Sequence, residues 1–445
     1  MPSKSTSALL QSLNRLSESL REGLTRADYS PPEGTDVSIK SLLLSLLPSN
    51  NSKSDLCEND IRTAIRDFSL CCAALAAASN STCDQLSWIS GSISAAADSA
   101  FCELANAHYD AFGDGKELIK LGELELDVTF VVNEKRLVIE LMPQVLPLLK
   151  DKIKESSIDT SDEISAASAR VPVACAIFAA YQLRWFTTKV DYPYLGKLCA
   201  LVIPCALTAL DHWSPEVKGQ GMTSFIHIAK NVNSTEISWY EDVILDACCQ
   251  NIASSDEIWH HVVEMSVLLV TSTQQSNPRS QWYEKLLNEM LNHLERQPRN
   301  KERRVVWLRH IEPLLNGVGL ILLAHFRRIF PLFFRWMHAD DDDTVILVLE
   351  RIKTILRLTW IRNSPYIGRL VDELVTLHKE AALKIARENI RSLVLQTIIL
   401  IQKSKGSQFE AAWNKHKEDP DLTAFHDLFT KTDATEVGLA SGSGA

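Results

Sequence analysis

The stretch 198–229, LCALVIPCALTALDHWSPEVKGQGMTSFIHIA, holds two apolar runs separated by a polar turn. Leu198 to Leu210 is almost wholly apolar, with Pro204 at its centre, where a proline removes one backbone donor and clashes with the preceding helical turn. A bend is expected there. In the turn Asp211-His212-Trp213-Ser214-Pro215-Glu216-Val217-Lys218-Gly219-Gln220-Gly221, Ser214 is placed to cap a second helix whose first position is Pro215, where the missing N–H costs nothing. Gly219 and Gly221 suit close packing inside that helix, and the apolar pattern resumes at Met222 to Ala229. Two apolar helices joined by a short turn cannot bury their own sides, so such a unit requires neighbours of the same kind.

Working outward, comparable apolar positions near successive helix starts fall at Leu198, Val243, Leu286, Ile329 and Leu370, spaced by 45, 43, 43 and 41 residues. Aromatics precede each of them: Tyr194, Trp239-Tyr240, Trp282-Tyr283, Phe326 and Tyr366. A period in the low forties with two helical stretches per unit fits stacked helix pairs of the HEAT or armadillo kind. The turn arrangement recurs 127 residues after Pro204, at Pro331, where Ile329 to Trp336 is followed by His338-Ala-Asp340-Asp-Asp-Asp343 and an apolar helix from Thr344 to Leu358. Aspartates at the start of that helix face its positive dipole end, so capping and solubility account for the acidic run. A calcium loop requires alternating oxygen ligands and a distal glutamate, which consecutive aspartates do not supply.

The first third is helical but less regular. Leu9 or Leu10, Leu13, Leu16, Leu20 and Leu24 lie on one helical face ending before Pro31-Pro32, a short helix covers Leu42 to Leu47, and a third runs from Asp60 to Ala78. Small residues from Ser87 to Ala107 continue this style, and Gly113, Gly115 and Gly122 mark a loop. Leu124 to Glu140 reads equally as strand or helix, because Val, Thr and Phe compete with a helical pattern. Leu141 to Ile153 and Ala166 to Phe186 read as helices joined by the Ser/Asp-rich connector Glu155 to Glu163. The expected organisation is therefore an all-α, HEAT/ARM-like solenoid. An irregular helical region occupies 1–160, the repeats 161–403, and a polar segment with a disordered tail 404–445.

The chain has 445 residues, 46% of them apolar and 23% charged, the balance of a globular protein with a large core. Its 46 Lys and Arg against 56 Asp and Glu leave a net charge of -10, so no general positive field exists to hold a phosphate backbone, and no specific nucleic acid is expected as a partner. The ten cysteines lie between Cys57 and Cys249 without a CxxC, as buried thiols of a reducing compartment do; Cys199 and Cys205, six apart in an apolar helix, read as core thiols. The first 30 residues lack a secretory pattern, and the apolar stretches Gly317 to Ala324 and Leu393 to Ile401 fall short of a bilayer crossing, so no membrane span is expected.

No motif for catalysis or a cofactor stands out. His260-His261 with Glu264 lacks the HExxH order, Gly219-Gln-Gly221 and Gly317-Val-Gly319 do not open a phosphate-binding motif, and neither GxxxxGK[ST] nor GxSxG occurs. An enzyme, a cofactor and a metal are not expected. Two interaction features remain. Arg296, Arg299, Lys301, Arg303, Arg304 and Arg309, with Glu302 the sole acid among them, form either a docking patch for an acidic protein segment or an ordinary solvated face. Among ten tryptophans, Trp213, Trp336 and Trp360 lie nearest the distinctive repeat segments and are interface candidates, with core packing the default for any one of them.

The segments LDHWSPEVKGQG (210–221), MTSFIHIAKNV (222–232) and PLFFRWMHADDDDTVILVLERIKTILRLTWIR (331–362) resemble the Tel2-interacting protein two family, in a plant-like form, over about 190–400. The family is a subunit of the TTT co-chaperone complex. The resemblance implies a noncatalytic scaffold that joins the other two TTT subunits. It would help phosphatidylinositol-3-kinase-related client kinases mature with heat-shock chaperones, directly or through the complex, in the cytoplasm and also the nucleus. The matching positions include Asp211, Trp213, Pro215, Val217, Lys218, Gly219 and Gly221 in the first turn, and Pro331, Trp336, Asp340, Trp360 and Arg362 in the second region. The competing reading is a generic HEAT adaptor in trafficking or nuclear transport.

Overall fold

A computed structural model describes residues 4–30, 38–48, 58–79, 81, 83–112, 118–121, 124–156, 172–277, 279–362, 364–383 and 385–422. The chain divides into two compact units, Met1–Thr273 and Gln274–Ala445.

The first unit opens with α1 (Lys4–Arg26), α2 (Ile39–Leu46), α3 (Glu58–Ala77) and α4 (Gly91–Phe112). The leucine period of α1 is realised: Leu9, Leu13, Leu16, Leu20 and Leu24 are all buried, and the helix lies on α4. Burying one such leucine contributes about 1.5–3 kcal/mol, so this stripe alone explains why α1 stays docked. An antiparallel hairpin follows, β1 (Leu118–Leu121) with β2 (Leu124–Asp127), Ile119 opposite Leu126. The ambiguous 124–140 stretch thus resolves into both types, because α5 (Asn133–Glu155) starts within it. The expected glycine loop and the boundary near 160 lie outside the described residues.

Next come α6 (Val173–Thr188), α7 (Tyr194–Lys197), α8 (Cys199–Leu210), α9 (Pro215–Asn231), α10 (Ser234–Ile237), α11 (Glu241–Asn251) and α12 (Trp259–Thr273). These helices form two rows. One runs α4, α5, α8, α11 and the other α3, α6, α9, α12, with each helix touching its partner across the rows and its neighbours along its own row. The α6 helix is buried on nearly every side, as its lack of a polar face requires.

The second unit contains α13 (Gln281–Arg296), α14 (Lys301–His310), α15 (Glu312–Val318), α16 (Leu322–Met337), α17 (Asp342–Leu358), α18 (Ile367–Ala382) and α19 (Glu388–Trp413). Its rows are α13, α16, α18 and α14/α15, α17, α19. Polar contacts recur at the repeat distance. Glu284 meets His325 41 residues later, Asn288 meets Arg328 40 later, Glu312 meets Thr354 42 later, Asp372 meets Lys415 43 later, and Ser364 meets Gln408 44 later. Residues one period apart touch because successive pairs stack in register. Apart from the hairpin, the protein is an all-α HEAT/ARM-type repeat fold.

Several expectations change. Leu198, Leu286, Ile329 and Leu370 are buried, but Val243 is 59% exposed and Ile244 takes the core position. A 3-10 turn at Ser238–Tyr240 precedes α11 and shifts its phase. The segment after 403 is helical to Trp413 across a kink at Gly406, at φ +37°, with Phe409 and Trp413 buried; the expected tail lies beyond the described residues. Contrary to the expectation about bilayer crossing, Glu312–Met337 has the length and hydropathy of a membrane span. Gly319, at φ +55°, interrupts it between α15 and α16, and Phe330, Phe333 and Trp336 are core residues of the second unit. A buried core helix passes the same compositional test.

Candidate protein-interaction surfaces

In the first unit the Asp211–Gly221 turn is built mostly from groups that hold helices together. His212 is buried, with Nε2 2.9 Å from Ser156 Oγ and Nδ1 accepting the Ser214 N–H at 3.0 Å. Since Nδ1 accepts, Nε2 carries the proton and donates to Ser156, which fixes the neutral tautomer. Burial pulls the imidazole below its ordinary pKa, consistent with that form. Ser214 occupies the N-cap position and Pro215 the first helical position, but the serine hydroxyl donates to Glu216 Oε2 at 2.6 Å, so the expected side-chain cap is absent. Val217 is buried, and Lys218 donates to Asn251 Oδ1 at 2.9 Å, tying α9 to the end of α11.

Gly221 stands where α9 crosses α8: a Cβ there would lie 3.0 Å from Ala209 Cβ and 3.2 Å from the Ala206 carbonyl oxygen. Gly219 is less constrained, since its added Cβ would meet Ile258 at 3.4 Å. Asp211, Trp213 and Glu216 are what this turn shows to solvent. The Trp213 ring stacks on His212 at a centroid separation of 5.5 Å, and its indole donates to the Ser156 carbonyl at 3.4 Å, so an exposed aromatic is held in a fixed pose.

In the second unit the interface candidates separate. Trp336 is buried, donates to the Pro298 carbonyl at 2.9 Å and packs against Trp307 and Phe333, which makes it a core anchor rather than a contact residue. Pro331 and Asp340 are exposed. Asp341 is the N-cap of α17, accepting the Thr344 N–H at 2.9 Å, and it forms an ion pair with Arg304. Burial works to raise the Asp341 carboxyl, but the bonds from Thr344 and Arg304 outweigh it and hold it below the usual carboxylate range. Trp360 and Arg362 are exposed just after α17.

The six-residue basic patch is not one surface. Arg303 is 5% exposed and Arg304 is occupied with Asp341 and with Thr344 Oγ1 at 3.0 Å, because both fall on the side of α14 that packs inward with Trp307. Arg296, Arg299, Lys301 and Arg309 remain exposed. The candidate His260–His261 pair has its rings in contact, and burial together with the His260 charge brings His261 down to about 4. Among the described residues no group of three or more His, Cys, Asp or Glu is arranged to hold a metal ion. Cys199 and Cys205 are buried, and burial pushes both thiols up to about 12.

Sequence reasoning passed over Trp239, which is 91% exposed and was grouped with the repeat anchors, and Phe130, 97% exposed after the hairpin. The same is true of a cleft of about 280 Å³ between α3, α4, the hairpin and α5, lined by Arg62, His108, Tyr109, Asn133, Arg136 and Glu140 among others. Its residues come from four separate elements, and no local motif brings them together.

These features define a helical-repeat protein with aromatic side chains displayed on the connections between helices. No protein-family model matches the chain. It is 56% identical over 414 residues to the Arabidopsis thaliana protein described as "Uncharacterized protein At2g39910", covering 92% of each chain, and it belongs to that family. A more distant similarity is to mouse TELO2-interacting protein 2, 21% identical over 209 residues, 43% of this chain and 40% of that protein. Among solved structures, a chain from the Kap95p–RanGDP structure aligns with a TM-score of 0.47 at 12% identity, over 83% of this chain and 48% of its own length. A designed armadillo repeat protein aligns with a TM-score of 0.36 at 13% identity, over 64% and 99%.

Proposed function

We propose that this chain is a noncatalytic helical-repeat adaptor that binds other proteins through its inter-helix connections. The observation that carries this reading is the exposure of Trp213, Trp239 and Trp360 on those connections, while the apolar sides of the helices are covered by neighbouring helices. Large aromatics left outside a completed core are the residues that dominate protein interfaces. The basic residues Arg296, Arg299, Lys301 and Arg309 add a charged surface that the core does not use.

A finer reading is membership of the TTT co-chaperone complex, with the other two subunits as direct partners and immature phosphatidylinositol-3-kinase-related kinases as clients alongside heat-shock chaperones. It is supported by the distant similarity to TELO2-interacting protein 2 and by the segments 210–232 and 331–362. Obligate association would also stabilise the chain by mass action. The location that goes with it is the cytoplasm and the nucleus.

Native purification of the tagged full chain, with crosslink mapping, tests both levels. The TTT reading expects the two partner subunits and client kinases together; their consistent absence from fresh, low-salt lysate overturns it. Recovery of transport receptors or vesicle coats in their place selects the generic adaptor. Recovery of no protein partner at all overturns the adaptor reading itself.

A further inference from the structure

The C-terminal end of α17 is closed by a buried lysine. Lys405, on α19, is 7% exposed, and its Nζ donates to the carbonyl oxygens of Thr359 at 2.7 Å, Trp360 at 3.2 Å and Arg362 at 2.5 Å. A helix end leaves carbonyls without partners, and a cation placed there also complements the helix dipole. A further bond, from the Ser364 N–H to Gln408 Oε1 at 3.2 Å, secures the far side of the turn. Residues 359–362 are therefore bonded to α19 through Lys405.

What this pinned turn displays is apolar and basic. Trp360 is 62% and Ile361 51% exposed, with Arg357 and Arg362 exposed beside them in sequence. The residues from 351 to 371 include Arg351, Lys353, Arg357, Arg362 and Arg369 and contain no Asp or Glu, in a chain whose net charge is -10. Arg351 pairs with Glu312, Lys353 reaches Gln396 and Arg369 pairs with Glu373. Arg357 and Arg362 have no side-chain partner among the described residues. Neither aromatic burial nor charge pairing within the unit accounts for this combination. A rigid turn loses little conformational freedom when a partner docks, which favours binding.

We propose that Arg357 and the Trp360–Arg362 turn form a docking site for an acidic polypeptide segment that carries an apolar side chain. Trp360 and Ile361 receive the apolar group, and the two guanidiniums, whose planar donor pairs match carboxylates, receive the flanking acids. The assignment rests on the adaptor reading and specifies the chemistry of one of its partners.

The test is titration of the full chain with a fluorescein-labelled peptide in which a central Leu-Phe pair is flanked by glutamates. Comparison ligands are the same peptide with Lys in place of Glu, the Glu peptide with Gly in place of Leu-Phe, and a single-stranded RNA oligomer. The Glu/Leu-Phe peptide is expected to bind at least about tenfold more tightly than each comparison ligand. Trp360→Ala and the double variant Arg357→Glu/Arg362→Glu should each weaken it about tenfold or more, the loss typical of a central interface residue. Trp360→Phe should restore part of the binding, Arg279→Glu, at an exposed arginine ahead of α13, should leave it within about twofold, and circular dichroism should show all variants folded. Equal binding by the wild type and both site variants overturns the assignment, as does equal or tighter binding of the Lys peptide or the RNA. Native purification of the wild type run in parallel separates the two levels. Partners recovered without peptide binding remove only this site, whereas no partners recovered removes the adaptor reading.

Discussion

Two glycines in one turn of α9 should respond to the same substitution with opposite signs. Replacing a mid-helix glycine by alanine ordinarily stabilises a helix by about 0.5–1 kcal/mol through reduced backbone freedom in the unfolded chain. At Gly219 nothing opposes that gain, because the added methyl would meet Ile258 Cγ2 at 3.4 Å and His261 Cδ2 at 3.9 Å, both ordinary contact distances. At Gly221 the methyl would stand 3.0 Å from Ala209 Cβ, 3.2 Å from the Ala206 carbonyl oxygen and 3.3 Å from the Leu210 nitrogen. None of these is the end of a flexible side chain, so α8 and α9 must separate, and overpacking of this kind costs about 1–3 kcal/mol. The net expectation is a gain of about 0.5–1 kcal/mol for Gly219→Ala and a loss of about 1 kcal/mol for Gly221→Ala. At about 2–4 °C per kcal/mol for a unit of this size, the two melting midpoints should differ by several degrees, to opposite sides of the wild type. The assay is thermal unfolding of the full chain followed by circular dichroism, each variant compared with the wild type. Shifts of the same sign, or a stabilised Gly221→Ala, would refute the helix-crossing argument.

Further outcomes follow from the paired and hydrogen-bonded groups Arg304, His338 and His212. Arg304→Glu should lower stability by about 3–5 kcal/mol in denaturant titration, because it breaks a mostly buried pair and sets two carboxylates face to face; Arg299→Glu should change it by under about 0.5 kcal/mol, and equal effects would show that the Asp341 pair is not structural. His338 has Nδ1 3.0 Å from Glu380 and Nε2 3.0 Å from Glu373, which Arg369 also contacts. Burial alone would depress His338, but the two carboxylates outweigh it and raise its pKa. Its contribution is therefore full below about 6.5, the unfolded value, and lost as pH rises through the higher folded one. His212, depressed by burial, acts oppositely, full above about 6.5 and lost as pH falls. Unfolding midpoints measured across pH 5–8 should lose the first dependence in His338→Gln and the second in His212→Gln, and unchanged profiles would contradict both assignments.

The helical architecture was legible where a single physical constraint fixed the pattern. In α1 the leucine spacing alone determines which face is buried, and in α8–α9 the Pro215 and glycine placement marks both the helix start and the crossing. The register failed at Val243 because a short 3-10 turn before α11 rotates the helix, and a count of residues between aromatics carries no information about such a turn. The hairpin was half-visible for a related reason. Four-residue strands are too short to establish an alternation, while Leu137, Val138, Met142 and Val145 bury on a helical face and carry the following segment into α5.

The surfaces were less legible because a charge or an aromatic has the same letter inside and outside. The basic run from Arg296 to Arg309 counts as six cations in sequence, yet helical phase divides it. Arg303 is four residues from the buried Trp307 and shares its stripe, Arg304 is drawn to Asp341, and Arg299 and Lys301 face water. The same phase argument separates the tryptophans. Trp336 follows Phe333 by three residues and continues a buried stripe, whereas Trp360 stands beyond the last turn of α17, with no preceding face to join. A charge reversal at Arg303 and Arg304, the obvious probe of the basic run, would consequently report on the packing of α14 against α17 rather than on docking. Lys301 also reaches the Asp341 carboxylate, at 3.9 Å, so Arg296, Arg299 and Arg309 are the positions at which loss of a partner can be read as loss of a contact.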